Sequence, residues 1–339
     1  MKDQPVVLVY TMTGGLGDYL VMGDVMRKAK LLLPRSQCLI VHRANPHIKQ
    51  WPEGSYKDAF FNIHSPVEML RLSATLYNFR RKSYCVFGLQ LSPGSLQGYV
   101  LHRWLKFIRA MDYIVDFNLI NTDIITPAQG QYILNRHLNQ LSDLFKINIP
   151  AEYFHLKLPL VPLETQGTTL AKKPARRLIG IHPWSRRGTG SFFWPLENWI
   201  EIIRYLLRQE DVDLVILGKD RQFAPFERSL RDIFAGSLQR IYFMPSNSVQ
   251  DLAKTVNDLD ILLTVNTAVV HISYALDKKM IILTGPTLDF WNPTGPGIHL
   301  VRDDQALLIG ADRSTRDERF PQVARIKVGQ VIEAYESIK

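Results

Sequence analysis

Three stretches hold residues whose types and spacing could do chemistry. In Leu262–Thr287 (LLTVNTAVVHISYALDKKMIILTGPT) the end of an apolar run, 259–265, passes directly into Asn266 and Thr267. His271 lies four residues beyond Thr267, and a second apolar run, 280–283, ends in Gly285-Pro286-Thr287. The pattern reads as strand, helix, strand and turn, one βαβ unit, with polar groups where the first strand hands over to the helix. Residues four apart share a helix face. A hydroxyl and the opening N–H groups at a helix N-terminus form an anion site, so Asn266, Thr267, Ala268 and His271 are candidates for holding phosphate. The second stretch is Ser185-Arg186-Arg187, which follows His182-Pro183 and precedes Gly188-Thr189-Gly190. Arginine grips phosphate with a planar fork, and a glycine-bearing loop can close on a ligand. The third is Gly14-Gly15-Leu16-Gly17-Asp18, directly after the first apolar run. Here Asp18 could accept a proton, and the glycines would let backbone approach a substrate.

Each stretch also has a purely structural reading. Asp18 is equally an acid stabilised by the dipole at a helix start. Thr267 could be an ordinary helix-start residue, His271 a satisfied core histidine, the arginine loop a solvated one and the glycines a tight turn.

These residues need elements to position them. Residues 5–11 (PVVLVYT) are continuously apolar, as in a strand of a sheet covered on both faces. Helical periodicity over 19–33 stops at Pro34. Strands are expected at 37–42, 83–87 and 113–117, and helices at 66–79 and 131–145. The 96–110 segment is amphipathic and basic, with Arg103, Lys106 and Arg109. Segment 159–176 is rich in Pro, Gly and Thr, breaks the alternation and reads as a linker. Strands then follow at 178–182, 212–217, 240–243, 259–265, 280–283 and 298–302. Helices are expected at 195–207, with Pro195 in the first turn, at 222–234, at 249–257 with Ser248 as cap, and at 328–338. The class is α/β: two Rossmann-like domains in series, 1–158 and 177–325, joined by the linker and closed by a C-terminal helix in 326–339.

Composition narrows the function. A chain of 339 residues fits two domains of ordinary size. Two cysteines, Cys38 and Cys85, make neither a disulfide framework nor a zinc set and suit a reducing cytoplasm. No run approaches the ~20 apolar residues of a membrane span. Residues 1–150 hold 17 Lys/Arg against 10 Asp/Glu, an excess of 7 in a chain whose total is +9. Such a half can meet a phosphorylated substrate or an anionic membrane surface, or simply be a soluble basic surface. A dehydrogenase is disfavoured because Gly14, Gly15 and Gly17 do not form G-x-G-x-x-G and His42-Arg43, not an acid, end the second strand. No nucleic-acid-binding motif accompanies the charge.

Four stretches in order make the chain resemble the family 9 glycosyltransferases, the bacterial heptosyltransferases of lipopolysaccharide core assembly. They are Gly17-Asp18 after the first strand; His182-Pro183 with Trp194-Pro195; Asn266-Thr267-Ala268-Val269-Val270-His271; and Gly285-Pro286-Thr287. The resemblance implies the GT-B arrangement, two Rossmann-like domains with parallel sheets facing across a cleft. The N-terminal one would bind the acceptor and the C-terminal one the sugar nucleotide. It implies inverting transfer, with no metal and no cofactor besides the donor, typically of heptose from ADP-heptose, with Asp18 as general base. Gly15, Gly17, Arg103 and Lys106 would then face the acceptor. Ser185, Arg186, Arg187, Gln222, Asn266, Thr267, Ala268, His271 and Thr287 would serve the donor. Gln222 and Glu227 are the two candidates for the ribose hydroxyls, and Thr287, Asp289 and Trp291 are candidates for the sugar. The implied acceptor is a phosphorylated, lipid-linked saccharide at the cytoplasmic face of the inner membrane, with peripheral membrane contact and no nucleic-acid partner.

The chain departs from the family pattern at three places. The family's Asp before Thr is Asn266, its following Gly is Ala268, and Phe192 stands where many members carry a phosphate-binding Lys. These changes bear on the donor more than on the fold. Two competing readings share the fold: a sugar-nucleotide epimerase, for which no clear set of acids and base surrounds the donor sugar, and a non-catalytic binding protein.

Overall fold

Apolar runs without a polar face demand cover on both sides, and every such run here becomes a strand of a parallel sheet. The computed structural model describes residues 5–12, 15–42, 59–62, 65–82, 84–90, 113–116, 132–158, 170, 175–184, 193–218, 223–285, 292–303 and 323–339. The chain divides into two units, Met1–Pro159 and Leu160–Lys339.

The first unit contains β1 (Val6–Met12), α1 (Leu16–Leu32), β2 (Gln37–His42), β3 (Ala59–Asn62), α2 (Pro66–Arg81), β4 (Cys85–Gln90), β5 (Tyr113–Asp116) and α3 (Ile133–Phe145). Its sheet has the order β3-β2-β1-β4-β5, all parallel. Alternate side chains of β1 and β2, Val7, Val9, Leu39 and Val41, join Phe61 of β3 against Leu72 and Leu76 of α2. Strand β3 was not expected from the sequence. Helix α1 begins at Leu16, three residues before the periodic stretch, so Gly17 and Asp18 belong to its first turn rather than to a preceding loop. Tyr19 N–H donates to the Gly15 carbonyl at 3.3 Å, closing that turn.

A buried charge cluster pins the exit of this unit to α1. The Lys28 side chain, fully buried, donates to Asp24 and to the His155 carbonyl at 2.7 Å. The same carboxylate accepts from Lys157 N–H at 2.9 Å and from Arg27 at 2.7 Å. Burial lowers the Lys28 pKa while Asp24 holds the charge in place.

The second unit contains β6 (Arg177–His182), α4 (Leu196–Leu207), β7 (Val212–Gly218), α5 (Phe223–Ile233), β8 (Ile241–Pro245), α6 (Val249–Asp258), β9 (Ile261–Val265), α7 (Ala268–Ala275), β10 (Lys279–Leu283), β11 (Ile298–Val301) and α8 (Val328–Ile338). The order is β11-β10-β9-β6-β7-β8, all parallel, which is the doubly wound order of two βαβαβ halves. Every residue of β7 and β9 is buried. Ser248 caps α6 as expected, its Oγ accepting the Asp251 N–H at 3.0 Å. Pro195 sits one position earlier than expected, at the N-cap of α4. Helix α8 is no appendage: Val328, Val331, Ala334, Tyr335 and Ile338 lie in the same core as Trp199 and Ile203. Trp194 stacks edge-on against Trp199 at 4.8 Å and donates from Nε1 to the Ile326 carbonyl at 2.8 Å. At the amino end of the sheet, buried Asp213 pairs with Arg176 at 2.6 Å and faces Arg240 at 3.7 Å. Among the described residues no helix is long and apolar enough to cross a membrane.

Candidate active site

In a doubly wound sheet the strand order reverses between two neighbouring strands, and the helices that follow them part at their carboxyl ends. Ligands bind in that crevice. In the first unit the reversal lies between β1 and β4, and α1 starts at the carboxyl end of β1. The backbone of Gly15, Gly17 and Asp18 therefore stands at this point. Asp18 is the third residue of α1, where the macrodipole favours a carboxylate; its side chain is outside the described residues.

In the second unit the reversal lies between β6 and β9. His182, the last residue of β6, is in register with Thr264 of β9. The buried Thr264 hydroxyl lies 3.2 Å from the His182 carbonyl and 3.4 Å from its Nδ1. The topology thus brings the His182-Pro183 stretch against the Asn266–His271 stretch, 80-odd residues away in sequence. Asn266 leaves β9 with its N–H donated to the Leu283 carbonyl of β10 at 3.1 Å.

Thr267 is the N-cap of α7, with extended backbone (φ −149°, ψ −178°), and its side chain makes no capping hydrogen bond. The hydroxyl is buried and has no hydrogen-bond partner among the described residues. A buried hydroxyl left this way is costly unless something arrives to meet it. The opening N–H groups of α7 converge on the same end. One turn on, His271 is 5 % exposed. Burial lowers its pKa to about 4, and burial does the same to His182. Both rings are neutral at pH 7, so each can donate one N–H without bringing a charge.

Several further residues stand at this edge. Trp184 is buried, packs edge-on against Phe223 at 5.6 Å and Phe226 at 5.1 Å, and has an Nε1 without a hydrogen-bond partner among the described residues. Gly218, ending β7, has φ +151°, and a Cβ there would come within 2.1 Å of Trp184 Nε1. Only glycine lets the strand end pass beneath the indole. Its carbonyl accepts the Ser246 N–H at 3.1 Å, and the Ser246 hydroxyl is buried without a partner. Beyond β10, Asn292 donates to the Thr284 hydroxyl at 3.3 Å, both residues fully buried.

Of the expected donor residues, the structure therefore brings together Asn266, Thr267, Ala268 and His271. Glu227 is engaged elsewhere, in a forked pair with Arg231 on α5 at 2.7 and 2.9 Å. Ser185, Arg186, Arg187, Gln222, Thr287, Asp289 and Trp291 lie outside the described residues, as do Phe192, Arg103, Lys106 and Arg109. Trp194, one of the residues that carry the resemblance, proves to be a core packing residue rather than part of this edge.

The family described as glycosyltransferase family 9 (heptosyltransferase) matches residues 116–308, more than half of the chain. The glycosyl transferase family 9 structure from Veillonella parvula DSM 2008 superposes with a TM-score of 0.68 at 14% identity, over 100% of this chain and 98% of that one. The E. coli ADP-heptose lps heptosyltransferase II gives 0.62 at 13% identity, over 98% of each chain. The E. coli heptosyltransferase WaaC with ADP-2-deoxy-2-fluoro heptose gives 0.62 at 16% identity, over 98% of this chain and 99% of that one. At such identities the likeness establishes the fold. No curated protein sequence matches the chain.

Proposed function

The chain belongs to glycosyltransferase family 9 and has its α/β, parallel-sheet GT-B fold, and we propose that it carries heptose from ADP-heptose to a lipopolysaccharide-core saccharide with inversion at the anomeric carbon. The observation that carries the donor half is the Thr267 hydroxyl at the start of α7, buried and without a partner among the described residues, one turn before the neutral His271. A diphosphate oxygen supplies the acceptor this hydroxyl lacks. The opening N–H groups and dipole of α7, with an N–H from His271, stabilise the charge that builds on the leaving diphosphate. Arg186 and Arg187 add cationic charge there, so the reaction proceeds without a metal ion. Trp184, Gly218 and Ser246 form the neighbouring floor, on the nucleoside side.

In the reaction the acceptor hydroxyl oxygen attacks the anomeric carbon from the face opposite the diphosphate. The carbon–oxygen bond to the diphosphate breaks, and its electron pair leaves with ADP. The hydroxyl proton passes to the Asp18 carboxylate, as befits a general base at the switch point of the first sheet. Gly15 and Gly17 let the acceptor come close to the start of α1, and Arg103 and Lys106 meet its phosphates. The acceptor is a phosphorylated, lipid-linked saccharide presented at the cytoplasmic face of the inner membrane.

The test combines a ligand screen with one variant. A ligand that binds only the folded state raises its unfolding temperature, so ADP and ADP-heptose should stabilise the protein and UDP- and GDP-sugars should not. Asp18→Asn should lower transfer by roughly 10²–10⁴-fold and leave ADP binding unchanged. Stabilisation by UDP- or GDP-sugars alone would overturn the donor assignment, and full transfer by Asp18→Asn would overturn the base.

A further inference from the structure

Helix α2 is the described cover of one face of the first sheet, and it has two unlike sides. Leu72 and Leu76 are fully buried and, with Met69 and Phe79, pack on the strands. On the opposite side Val67, Leu70 and Tyr77 are 73%, 68% and 62% exposed. Ala74 is exposed between them. The spacing of three or four residues puts all four on one stripe, about 15 Å long. Such exposure is exceptional in this protein: half of its exposed large hydrophobic side chains among the described residues are on this single helix.

The charge around the stripe has one sign. Stretch 66–82 holds Arg71, Arg80, Arg81 and Lys82 against a single acid, Glu68. That acid is already engaged by Arg71 at 3.3 Å. Arg71, Arg81 and Lys82 are exposed; Arg71 also lies over the buried Phe61 ring at 5.3 Å, whereas the helical spacing puts Arg81 in line with Leu70, Ala74 and Tyr77. An apolar stripe ending in a tyrosine, flanked by cations and without a free acid, matches a membrane interface: hydrocarbon under the stripe, anionic headgroups beside it, and a phenol at the boundary. A second copy of the chain fits less well. A twofold contact would set the cations against themselves, and stable self-association needs roughly 800 Å² per partner, more than three side chains on one helix provide.

We propose that the outer face of α2 docks the protein on an anionic phospholipid bilayer. The contact is reversible and electrostatically assisted, with Val67, Leu70 and Tyr77 entering the headgroup boundary. It stands on the helix alone and does not depend on the identity of the donor.

Co-sedimentation of the full chain with vesicles tests this. Vesicles of phosphatidylcholine with roughly a third phosphatidylglycerol should carry the protein down, and phosphatidylcholine alone should not. Raising salt from about 0.1 M toward 1 M should release it, as the screening length falls from about 10 to 3 Å. Leu70→Glu/Tyr77→Glu should weaken partitioning at least tenfold, and Arg81→Gln/Lys82→Gln about fivefold for each charge removed. All four positions are exposed, so circular dichroism and unfolding temperature should match the wild type; should the glutamate pair unfold, the glutamine pair carries the test. ADP binding, measured in parallel, should be unaffected, so a failure here is distinct from a failure of the donor site. The proposal is overturned if anionic vesicles do not bind the protein, or if both variants bind as the wild type does. It is equally overturned if sedimentation velocity shows a wild-type dimer that Leu70→Glu/Tyr77→Glu converts to monomer, which would assign the face to a second copy.

Discussion

Replacing Thr267 by valine separates a ligand-binding hydroxyl from a structural one, because the two roles predict opposite signs. Valine keeps the branched shape and removes only the hydroxyl. An N-cap threonine normally holds a backbone N–H, and losing it costs about 0.5–2 kcal/mol. Here the side chain makes no capping bond, so that loss does not arise. What disappears instead is a buried polar atom without a partner, a liability of about 1–3 kcal/mol. Thr267→Val should therefore leave the unliganded second unit as stable as before or raise its unfolding temperature, at about 2–4 °C per kcal/mol for a unit of this size. With ADP present the balance reverses. A hydrogen bond to a charged oxygen is worth about 1.5–3 kcal/mol, so affinity should fall roughly 10- to 150-fold. Differential scanning fluorimetry with and without ADP, backed by titration calorimetry, reads both effects. Thr267→Ser, which keeps the hydroxyl, should retain most of the affinity. If Thr267→Val melts at a lower temperature and still binds ADP like the wild type, the hydroxyl is structural and the donor site lies elsewhere.

The two buried histidines make stability depend on pH. The unfolded chain protonates His271 below its ordinary 6.5, but the folded protein resists until about 4, so stability present above pH 6.5 is lost as pH falls through that window. The loss from His271 is roughly 2 kcal/mol at pH 5, with a smaller share from the partly open His182; urea unfolding at pH 7.5 and 5 should show it, and His271→Gln should reduce it. Gly218→Ala combines an unfavourable φ with a Cβ 2.1 Å from the Trp184 indole, so it should destabilise by roughly 3 kcal/mol and shift tryptophan emission. Lys28→Met leaves the buried Asp24 carboxylate with fewer partners, although Arg27 and the Lys157 N–H remain. It should lose roughly 3 kcal/mol in urea unfolding, much of it recovered by Asp24→Asn/Lys28→Met.

What could be read from the sequence follows from what local chemistry controls. The parallel strands were legible because burial on both faces leaves a continuous apolar run, and β7 and β9 are buried from end to end. Ser248 was legible because a cap is a local hydrogen bond. The start of α1 was not, because Gly14, Gly15 and Gly17 suggest a turn, whereas packing against the sheet carries the helix back to Leu16. Strand β3 has only four residues and sits at the sheet edge, so its pairing with β2 defines it rather than its composition. The contact between Trp184 and Gly218 was not legible for a deeper reason. Their fit depends on strand order, and nothing in the local sequence says that residue 184 will lie over residue 218. The same holds for the empty valences of Thr267 and Ser246, since lacking a partner is a property of neighbours brought by the fold.

The structure also changes how the departures at Asn266 and Ala268 read. The capping position belongs to Thr267, so Asn266 need not cap, and its backbone instead ties β9 to β10. Ala268 is the first residue of α7, with ordinary helical backbone, where glycine's freedom has no use. Alanine there favours the helix by roughly 0.5–1 kcal/mol over glycine and holds the opening N–H groups in place. Neither change removes the features on which the proposed anion site rests, the Thr267 hydroxyl and the start of α7. Their difference is electrostatic and steric: an amide where the family has a carboxylate removes a negative charge next to Thr267, and a methyl group stands at the first residue of α7. Two charges 4 Å apart interact by about 1–4 kcal/mol between water and a protein surface. If the donor diphosphate lies at the start of α7 as proposed, Asn266→Asp should weaken ADP binding in titration calorimetry, and unchanged affinity would place the diphosphate away from residue 266.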